Sequence, residues 1–449
     1  MPNLFVQSET PKPIFFQSLG CAKNLVDAEV MLGITSQHQY QIVDDPAQAS
    51  VIVINTCSFI NDSKRESINT ILEMAKQKTS GICERLIVTG CLPQRYKADL
   101  KAAFPEVDAF VGTGQYADIL DFINGKSDEE AGFKHPKYIH SENTPRINSQ
   151  PKHRAYLKIS EGCIKNCAFC IIPKIRGTLR SRTIPSLVTE ARHLVRSGVV
   201  ELCLIGQDLT DYGRDLRDGS DLVRLLELLS QISDLQWIRL LYVYPDDLSE
   251  ELLTIISDRP NVCKYFDMPI QHINDRMLSL MNRKVSGLQI RQRISKIKSF
   301  LPEAAIRSTL IVGYPGETDK EFRELVDFVS EAQFDHLGVF AYSHEEGTAS
   351  FALPDQLPEE VIQERKSQVL ALQQQISRNK LVGKTGSVIP VLIEGPSDES
   401  HFLSQGRHQG QAPDVDGVVV VRESEMPSGQ IVPIFIERTT EYDLIGRPA

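Results

Sequence analysis

Residues Glu161-Gly162-Cys163-Ile164-Lys165-Asn166-Cys167-Ala168-Phe169-Cys170 decide the fold prediction. A short strand-like run, residues 155–160, precedes them, so the cysteines lie in a loop that begins where a strand ends. Thiolates bind iron and zinc well, and a four-iron cluster usually takes four cysteines, one per iron. This stretch offers three, Cys163, Cys167 and Cys170, which would leave one iron open to a substrate.

An open iron can hold the amino and carboxylate groups of S-adenosylmethionine and pass an electron to its sulfonium. The alternative is a structural zinc site, but zinc needs four closed ligands, and the nearest candidates, His153 and His193, are badly placed. The C-x3-C-x2-C pattern, with Phe169 before its last cysteine, resembles the radical S-adenosylmethionine superfamily.

Length and composition limit the class of protein. A chain of 449 residues should hold about three domains. It has no apolar run of about 18 residues and no signal-peptide pattern, so we expect a cytoplasmic protein without a membrane span. Nine cysteines in a reducing compartment indicate metal binding or catalysis before disulfides. The net charge of −10 argues mildly against duplex nucleic acid and is compatible with a basic protein partner.

Three apolar runs in the first 125 residues each lead to a cysteine, namely Cys21, Cys57 and Cys91. Such continuous Val, Ile and Leu runs are typical of buried parallel strands, and a helical pattern follows each one, so we predict a doubly wound parallel sheet. Ligands bind at the carboxyl ends of the strands in such sheets. The three cysteines are therefore predicted to converge on a second cluster with an open iron. Three buried structural cysteines are the alternative.

Strand-like and helical runs alternate six times between residues 151 and 375, which predicts parallel strands in a partial, six-unit βα barrel. The predicted strands are 155–160, 199–205, 237–243, 262–268, 305–312 and 336–342. Active sites in such barrels lie at the carboxyl ends of the strands, where the three-cysteine loop already is. Cys203, inside a strand, is interpreted as an apolar filler, and His272 and His344 as surface residues.

Composition sets the remaining boundaries. Residues 126–150 are polar and aperiodic, so we predict a linker there, between a domain at 1–125 and one at 151–375.

Residues 381–449 hold short β-rich runs at 387–393, 417–421 and 431–436, which indicate a small antiparallel barrel of the oligonucleotide-binding type. Ten acidic and five basic residues give it a net charge of −5. An acidic barrel repels RNA and attracts a basic protein, unless its binding face is basic within an acidic total.

Nearly the whole chain resembles the methylthiotransferase family, whose order is an N-terminal three-cysteine domain, a radical S-adenosylmethionine domain and a small β-barrel of the TRAM type. Within the family the sequence is similar to the RimO branch rather than to the tRNA-modifying MiaB branch. MiaB enzymes typically have Gln-Met-Asn after the first cysteine, whereas this chain has Ala22-Lys23-Asn24 there. The segments that carry the likeness are 18–27, 161–173, Arg176-Gly177 and 345–348.

The resemblance implies a transferase with two four-iron clusters, one on Cys163, Cys167 and Cys170 that cleaves S-adenosylmethionine, and one on the N-terminal cysteines that holds the sulfur to be methylated. It implies methylthiolation of the β-carbon of an aspartate in ribosomal protein S twelve. Phe169, Gln207 and Arg239 are the implied cofactor-binding residues, and flavodoxin or ferredoxin an expected electron donor. We expect a monomer.

Two other functions stay open from the sequence. One is the same reaction on a tRNA adenosine next to the anticodon, which the charge of the C-terminal barrel face would distinguish. The other is a two-cluster electron carrier without catalysis, which would not cleave S-adenosylmethionine. A carrier needs neither a β-barrel tail nor the polar residues at the strand ends of the middle domain.

Overall fold

We describe a computed structural model of the chain over residues 11–126, 135–245, 248–397, 400–423 and 426–449. The chain forms two compact units that alternate along the sequence. The first extends to Ser149 and takes in residues 161–164 and 171–180. The second consists of residues 150–160, 165–170 and 181–449. The three-cysteine loop is thus divided, with Cys163 in the first unit and Cys167 and Cys170 in the second.

The first unit is an α/β layer structure. Its elements up to residue 126 are β1 (Lys12–Ser18), α1 (Ala22–Ser36), β2 (Tyr40–Ile42), β3 (Val51–Thr56), α2 (Asn61–Ala75), α3 (Gln77–Ser80), β4 (Arg85–Gly90), α4 (Cys91–Tyr96), α5 (Ala98–Ala103), β5 (Ala109–Val111) and α6 (Ile119–Ile123).

All five strands of this sheet are parallel, in the order β2-β1-β3-β4-β5. Every residue of β3 is buried, as the continuous apolar run predicted, because helices cover both faces of a parallel sheet. Separate apolar cores form on the two sides, one around Ile52 and Leu86 and the other around Val53 and Ile87. The predicted doubly wound sheet is confirmed.

The predicted linker is partly a docked segment. Residues 127–134 lie outside the described part of the chain, and residues 135–149 contain no helix or strand. The end of this segment packs on α1 through the buried carboxylate of Glu29, which accepts hydrogen bonds from the side chain of Arg146 at 2.6 Å and from the amide of Ser149 at 2.8 Å. The extent of the linker and the domain boundaries around it stay predictions.

The second unit begins with a βα repeat. The elements of the chain from residue 150 to the end of this repeat are β6 (Arg154–Lys158), β7 (Ser160–Glu161), α7 (Ile172–Arg176), β8 (Arg180–Ser181), α8 (Ile184–Arg196), β9 (Glu201–Ile205), α9 (Leu222–Leu229), β10 (Trp237–Leu240), α10 (Glu250–Asp258), β11 (Tyr265–Asp267), α11 (Asp275–Leu280), α12 (Gly287–Phe300), β12 (Ala305–Val312), α13 (Asp319–Ala332), β13 (His336–Ala341) and α14 (Glu359–Val382).

Six strands of this repeat form the incomplete barrel that the sequence predicted. Two parallel three-stranded sheets, β6-β9-β10 and β11-β12-β13, are joined by a parallel bridge between Ile238 and Val262. One continuous apolar core fills the space between these strands and the surrounding helices. Cys203 is buried in β9, as expected of a filler. Among the described residues, no helix is both long enough and apolar enough to cross a membrane.

The C-terminal residues close into a five-stranded barrel in the order β14-β15-β16-β18-β17. Its strands are β14 (Val388–Ser397), β15 (Ser400–Arg407), β16 (Val419–Val421), β17 (Ile431–Thr439) and β18 (Leu444–Pro448). The three predicted runs correspond to β14, β16 and β17. The barrel closes only with β15 and β18, which were not predicted because their polar residues and glycines hide the apolar pattern of a strand. β16 and β18 run parallel rather than antiparallel.

A buried ionic layer joins this small barrel to the amino ends of the βα strands. Glu201, the first residue of β9, binds both Arg239 of β10 and Arg407 of β15, and all three side chains are almost completely buried. Around this centre, Arg154 binds Asp414 at 2.9 Å and Arg307 binds Asp416 at 2.5 Å. This ionic layer lies at the opposite end of the strands from the cysteine loop, which begins at their carboxyl ends.

We expect Glu201→Gln to lower the free energy of unfolding by about 3–5 kcal/mol, because it leaves two buried guanidinium groups without their shared counter-charge. Chemical denaturation measures this change. Glu437→Gln is the control, since its partners Arg422 and Arg447 are 62% and 55% exposed and such surface pairs contribute about 0–1 kcal/mol. Equal losses in the two variants would contradict the assignment.

The same carboxylate predicts a pH dependence. Burial alone would raise the pKa of Glu201, but Arg407 and Arg239 lower it to about 2 from an ordinary 4.5. Its stabilisation is therefore complete above the ordinary pKa and is lost as the pH falls toward 2. Wild type should lose more stability than Glu201→Gln between about pH 6 and about pH 3, as denaturation curves at the two pH values would show; an unchanged difference between them would refute this.

Candidate active site

Three neighbouring strands of the first sheet end in cysteines. Cys57 follows β3 directly, Cys91 follows β4 directly and begins α4, and Cys21 stands at the amino end of α1, shortly after β1. Because β1, β3 and β4 are adjacent and parallel, their carboxyl ends share one edge of the sheet. The structure thus brings the three predicted N-terminal cysteines to the same edge of the first unit.

Asn24 fastens the strand ends around these cysteines. Its side-chain amide donates to the carbonyl oxygens of Leu19, at 3.0 Å, and Thr56, at 2.9 Å. Its oxygen lies 3.6 Å from the Cys91 sulfur. In turn, the Asn55 side chain donates to the Asn24 carbonyl at 2.6 Å. One buried asparagine therefore connects the ends of β1 and β3 with the thiol that follows β4.

Gly20 lets the first cysteine segment approach the second. Its φ is +85°, and a Cβ atom at this position would lie 2.6 Å from the Cβ of Cys57. No other residue type fits such a contact without displacing Cys57. The spacing between Cys21 and Cys57 is thus set by backbone packing rather than by the side chains alone.

The buried arginine Arg176 adds a positive charge to this set of thiols. It is the last residue of α7, and its guanidinium donates to Asp27 at 3.0 Å and to Glu161 at 2.9 Å. Its second terminal nitrogen contacts Asn24 and lies 3.7 Å from the Cys91 sulfur. Burial would lower the pKa of Arg176, but Glu161 and its other anionic neighbours hold it well above its ordinary value, so the group stays charged.

The donor set suits an iron–sulfur cluster. Burial raises the pKa of the free Cys91 thiol to about 12 and raises that of Cys57 as well; metal binding must therefore displace protons, and the nearby Arg176 offsets part of the resulting thiolate charge. No three His, Cys, Asp or Glu side chains in the described ranges lie close enough to hold a single ion. A four-iron cluster takes one cysteine per iron, so its thiolates need not converge on one point.

The second cysteine set occupies the loop after β7, in parts that belong to different units. In the first unit, the Cys163 amide donates to the Gly177 carbonyl at 3.1 Å. In the second, the Ala168 amide donates to Met281, and the Arg283 guanidinium lies 3.6 Å from the Cys167 sulfur. The three side chains are partly exposed.

Aromatic and charged groups surround the second-unit part of this loop. Phe169 packs against an apolar cluster that includes Met277, Met281, Tyr314 and Tyr342. Arg283 lies over the ring of Tyr244, 3.9 Å from its centroid, and Lys165 lies 4.3 Å from the same centroid. Phe169 directly precedes Cys170, so the predicted cofactor contact lies in the cysteine loop itself.

Two buried carboxylates follow β9, next to the predicted cofactor residue Gln207. Asp208 and Asp211 pair with Lys165 at 3.6 and 3.4 Å. Burial and the charge of Asp211 raise the pKa of Asp208 to about 6. Asp208 directly follows the predicted residue Gln207, but nothing in the sequence indicated that Lys165, inside the cysteine loop, would bridge the two carboxylates.

The structure shows the surroundings of two further residues that the sequence analysis named, Arg239 and His272. The guanidinium of Arg239 is fully buried and engaged by Glu201 and by the Gln409 carbonyl, so we leave it out of the proposed cofactor-binding set. His272 was interpreted as a surface residue, which is wrong: it is buried and bonded to Glu317 at 3.1 Å, and Glu317 also binds Arg365. His344 is exposed, as expected.

Comparison with known proteins gives this arrangement a class. Family models match residues 13–112 (uncharacterized protein family UPF0004), 157–329 (radical SAM superfamily) and 385–448 (TRAM domain). The chain also shares its fold with the radical S-adenosylmethionine methyltransferase TsrM from Kitasatospora setae, at a TM-score of 0.54 and 12% identity over 73% of this chain and 72% of that one. Fold and cysteine loop together define a radical S-adenosylmethionine enzyme, a class that implies a four-iron cluster and S-adenosylmethionine.

Full-length relatives narrow the class. The chain is 47% identical to a ribosomal protein uS12 methylthiotransferase RimO from Bdellovibrio bacteriovorus, over 97% of each chain. It is 48% identical to the protein of that name from Syntrophotalea carbinolica, over 96% of this chain and 95% of the relative. This chain belongs to the RimO family of radical S-adenosylmethionine methylthiotransferases.

We expect Gly20→Ala to abolish iron binding at the N-terminal cysteines, because the added methyl group displaces Cys57. Iron and sulfide per chain would be measured in protein whose Cys163, Cys167 and Cys170 are replaced by Ala. Gly386→Ala is the matched control: its φ is +83° and its added Cβ meets nothing within 4 Å. Both variants carry backbone strain of about 1–2 kcal/mol, so equal iron contents would contradict the role of the clash.

Proposed function

We propose that this chain transfers a methylthio group to the β-carbon of an aspartate in ribosomal protein uS12, the protein named as the target of its RimO relatives. The observation that carries the proposal is the second cysteine set. A radical S-adenosylmethionine enzyme needs one cluster to cleave its cofactor, but Cys21, Cys57 and Cys91 offer a second at the ends of three adjacent strands. An enzyme that inserts sulfur has a use for that second site.

Cys163, Cys167 and Cys170 are the proposed ligands of the cluster that binds S-adenosylmethionine, and Cys21, Cys57 and Cys91 those of the second. When bound, the first cluster supplies an electron that cleaves the cofactor and so allows hydrogen removal from an unactivated carbon, which no acid or base side chain could do. The protein's part is to hold both clusters, to position the cofactor and substrate, and to keep water away.

The surrounding side chains suit these tasks. Phe169 and its apolar neighbours provide a dry wall beside the cysteine loop, and Gln207 is a proposed contact for the cofactor. Lys165 joins the loop to the two buried carboxylates after β9, which fixes the loop against β9 by charge rather than by packing. The Arg283 nitrogen lies 3.6 Å from the Cys167 sulfur and can donate a hydrogen bond to it.

The charge of the C-terminal barrel supports a protein substrate less than its sequence suggested. Three of its acidic residues, Glu394, Asp414 and Asp416, bind arginines in the ionic layer at the amino ends of the βα strands. Part of the acidic excess is therefore consumed inside the protein. The preference for uS12 over tRNA rests mainly on the RimO relatives, and the tRNA adenosine becomes an outcome of the test.

The proposed substrate sets the remaining expectations. A ribosomal protein is modified in the cytoplasm, where thiols stay reduced and where flavodoxin or ferredoxin can deliver electrons. We propose that the chain acts as a monomer, because each of its two cysteine sets is drawn from a single chain.

The test is an anaerobic reaction followed by mass spectrometry. Reconstituted protein is given S-adenosylmethionine, a reductant and sulfide, with small ribosomal subunits, isolated uS12 or bulk tRNA in parallel. We expect a methylthio group on one aspartate of uS12 and release of 5′-deoxyadenosine. Methylthiolation of tRNA adenosine alone would overturn the proposed substrate, and absence of both product and 5′-deoxyadenosine would overturn the enzyme in favour of an electron carrier.

Cysteine variants separate the two sites in the same assay. Cys167→Ala should abolish 5′-deoxyadenosine, whereas Cys57→Ala should abolish methylthiolation but leave cofactor cleavage measurable. The buried filler Cys203, changed to Ala, is the control and should keep both activities. Full methylthiolation by either cluster variant would refute that ligand assignment.

A further inference from the structure

Arg176 is a buried cation beside the N-terminal cysteines, in a position that neither the family match nor the sequence motif explains. It follows Cys170 by six residues, yet its side chain lies among residues of the N-terminal sheet. Its guanidinium is 2% exposed, and the Asp27 and Glu161 side chains that bind it are 5% and 4% exposed. Burying a guanidinium and two carboxylates costs desolvation free energy, which a role for this charge would account for.

The guanidinium divides its donors between two kinds of partner. One terminal nitrogen serves the carboxylates of Asp27 and Glu161, and the other contacts Asn24 and the Cys91 sulfur. Carboxylates would by themselves account for a structural ion pair. A nitrogen 3.7 Å from a cysteine sulfur is instead a donor directed at a proposed cluster ligand, and hydrogen bonds to such sulfurs set the reduction potential of a cluster.

The same residue is linked to Cys163 through the backbone of the first unit. Glu161, which accepts from Arg176, stands two residues before Cys163. Gly177, directly after Arg176, accepts the hydrogen bond from the Cys163 amide. Ile171 and Ile175 pack against Cys91 itself. Cys163 and Glu161 are therefore both bound to the Arg176-Gly177 segment.

We propose that Arg176 is a positioning residue for the N-terminal cluster: it donates to the Cys91 sulfur, which raises the reduction potential of that cluster. The inference rests on the proposed function, because it requires a cluster on Cys21, Cys57 and Cys91. The cation stabilises the added negative charge of the reduced cluster, and Asp27 and Glu161 hold the cation in place.

The experiment measures the potential of the N-terminal cluster by EPR-monitored redox titration. Full-length protein with Cys163, Cys167 and Cys170 replaced by Ala carries only that cluster. Two changes are added to it, Arg176→Lys and the charge-neutral pair Arg176→Gln/Glu161→Gln. The matched control is Arg146→Gln/Glu29→Gln, which removes another buried ion pair from the same unit, one located on α1 and the segment before β6.

We expect a lower potential and altered EPR g-values in the Arg176→Gln/Glu161→Gln variant, a smaller shift in Arg176→Lys, which keeps the charge but loses the planar fork, and no shift in the control. If the double variant fails to hold iron, Arg176→Lys decides the matter. Wild-type potential and g-values in Arg176→Lys, or equal shifts in the Arg176 and Arg146 pairs, would overturn the inference.

One further outcome separates this inference from the proposed function. If the parent protein, with Arg176 intact, binds no cluster at its N-terminal cysteines, the second cluster of the proposed function fails and the role of Arg176 falls with it. If that parent holds a cluster and the changes at Arg176 leave the reduction potential of the cluster unaltered, only the present inference fails.

Discussion

Parallel strands place all their carboxyl ends on one edge of a sheet, and both cysteine sets depend on this constraint. In the first unit it brings Cys21, Cys57 and Cys91 together although they are separated by more than thirty residues at each step. In the second it places the segment that follows β6 and the carboxylates after β9 at the same end of two adjacent parallel strands. The ligands are distant in sequence, but strand direction alone makes them neighbours.

Buried arginines serve the two ends of the structure differently. At the amino ends of the βα strands, Arg239 and Arg407 share Glu201 and join the C-terminal barrel to the repeat. Near the cysteines, Arg176 and Arg283 each lie within hydrogen-bonding distance of a sulfur. Because a buried charge is stable only with well-placed partners, each of these residues fixes several segments at once.

Periodicity was enough to predict the sheet, the six-strand repeat and the cysteine positions, because apolar strands and repeated strand–helix units leave strong local patterns. Periodicity did not predict β15 and β18, because these segments become strands by pairing within the closed barrel and contain no local apolar run. The net charge counted from the sequence does not show which charges pair inside the protein. Asp414 and Asp416 count as acidic residues in the sequence, but they bind Arg154 and Arg307 in the fold. His272 was misjudged because burial with a charged partner leaves no periodic signal.

The alternation of the two compact units along the chain has a consequence during protein synthesis. The N-terminal sheet is fully translated by residue 126, but Arg176 and Glu161, which neutralise each other beside Asp27 and Cys91, belong to segments made later. Arg176 follows Cys91 by about 85 residues, which corresponds to roughly 4–17 s at the usual pace of translation. During this interval the nascent sheet holds its thiols without their cation, and the order of translation therefore delays completion of the site until the second cysteine motif has also been made.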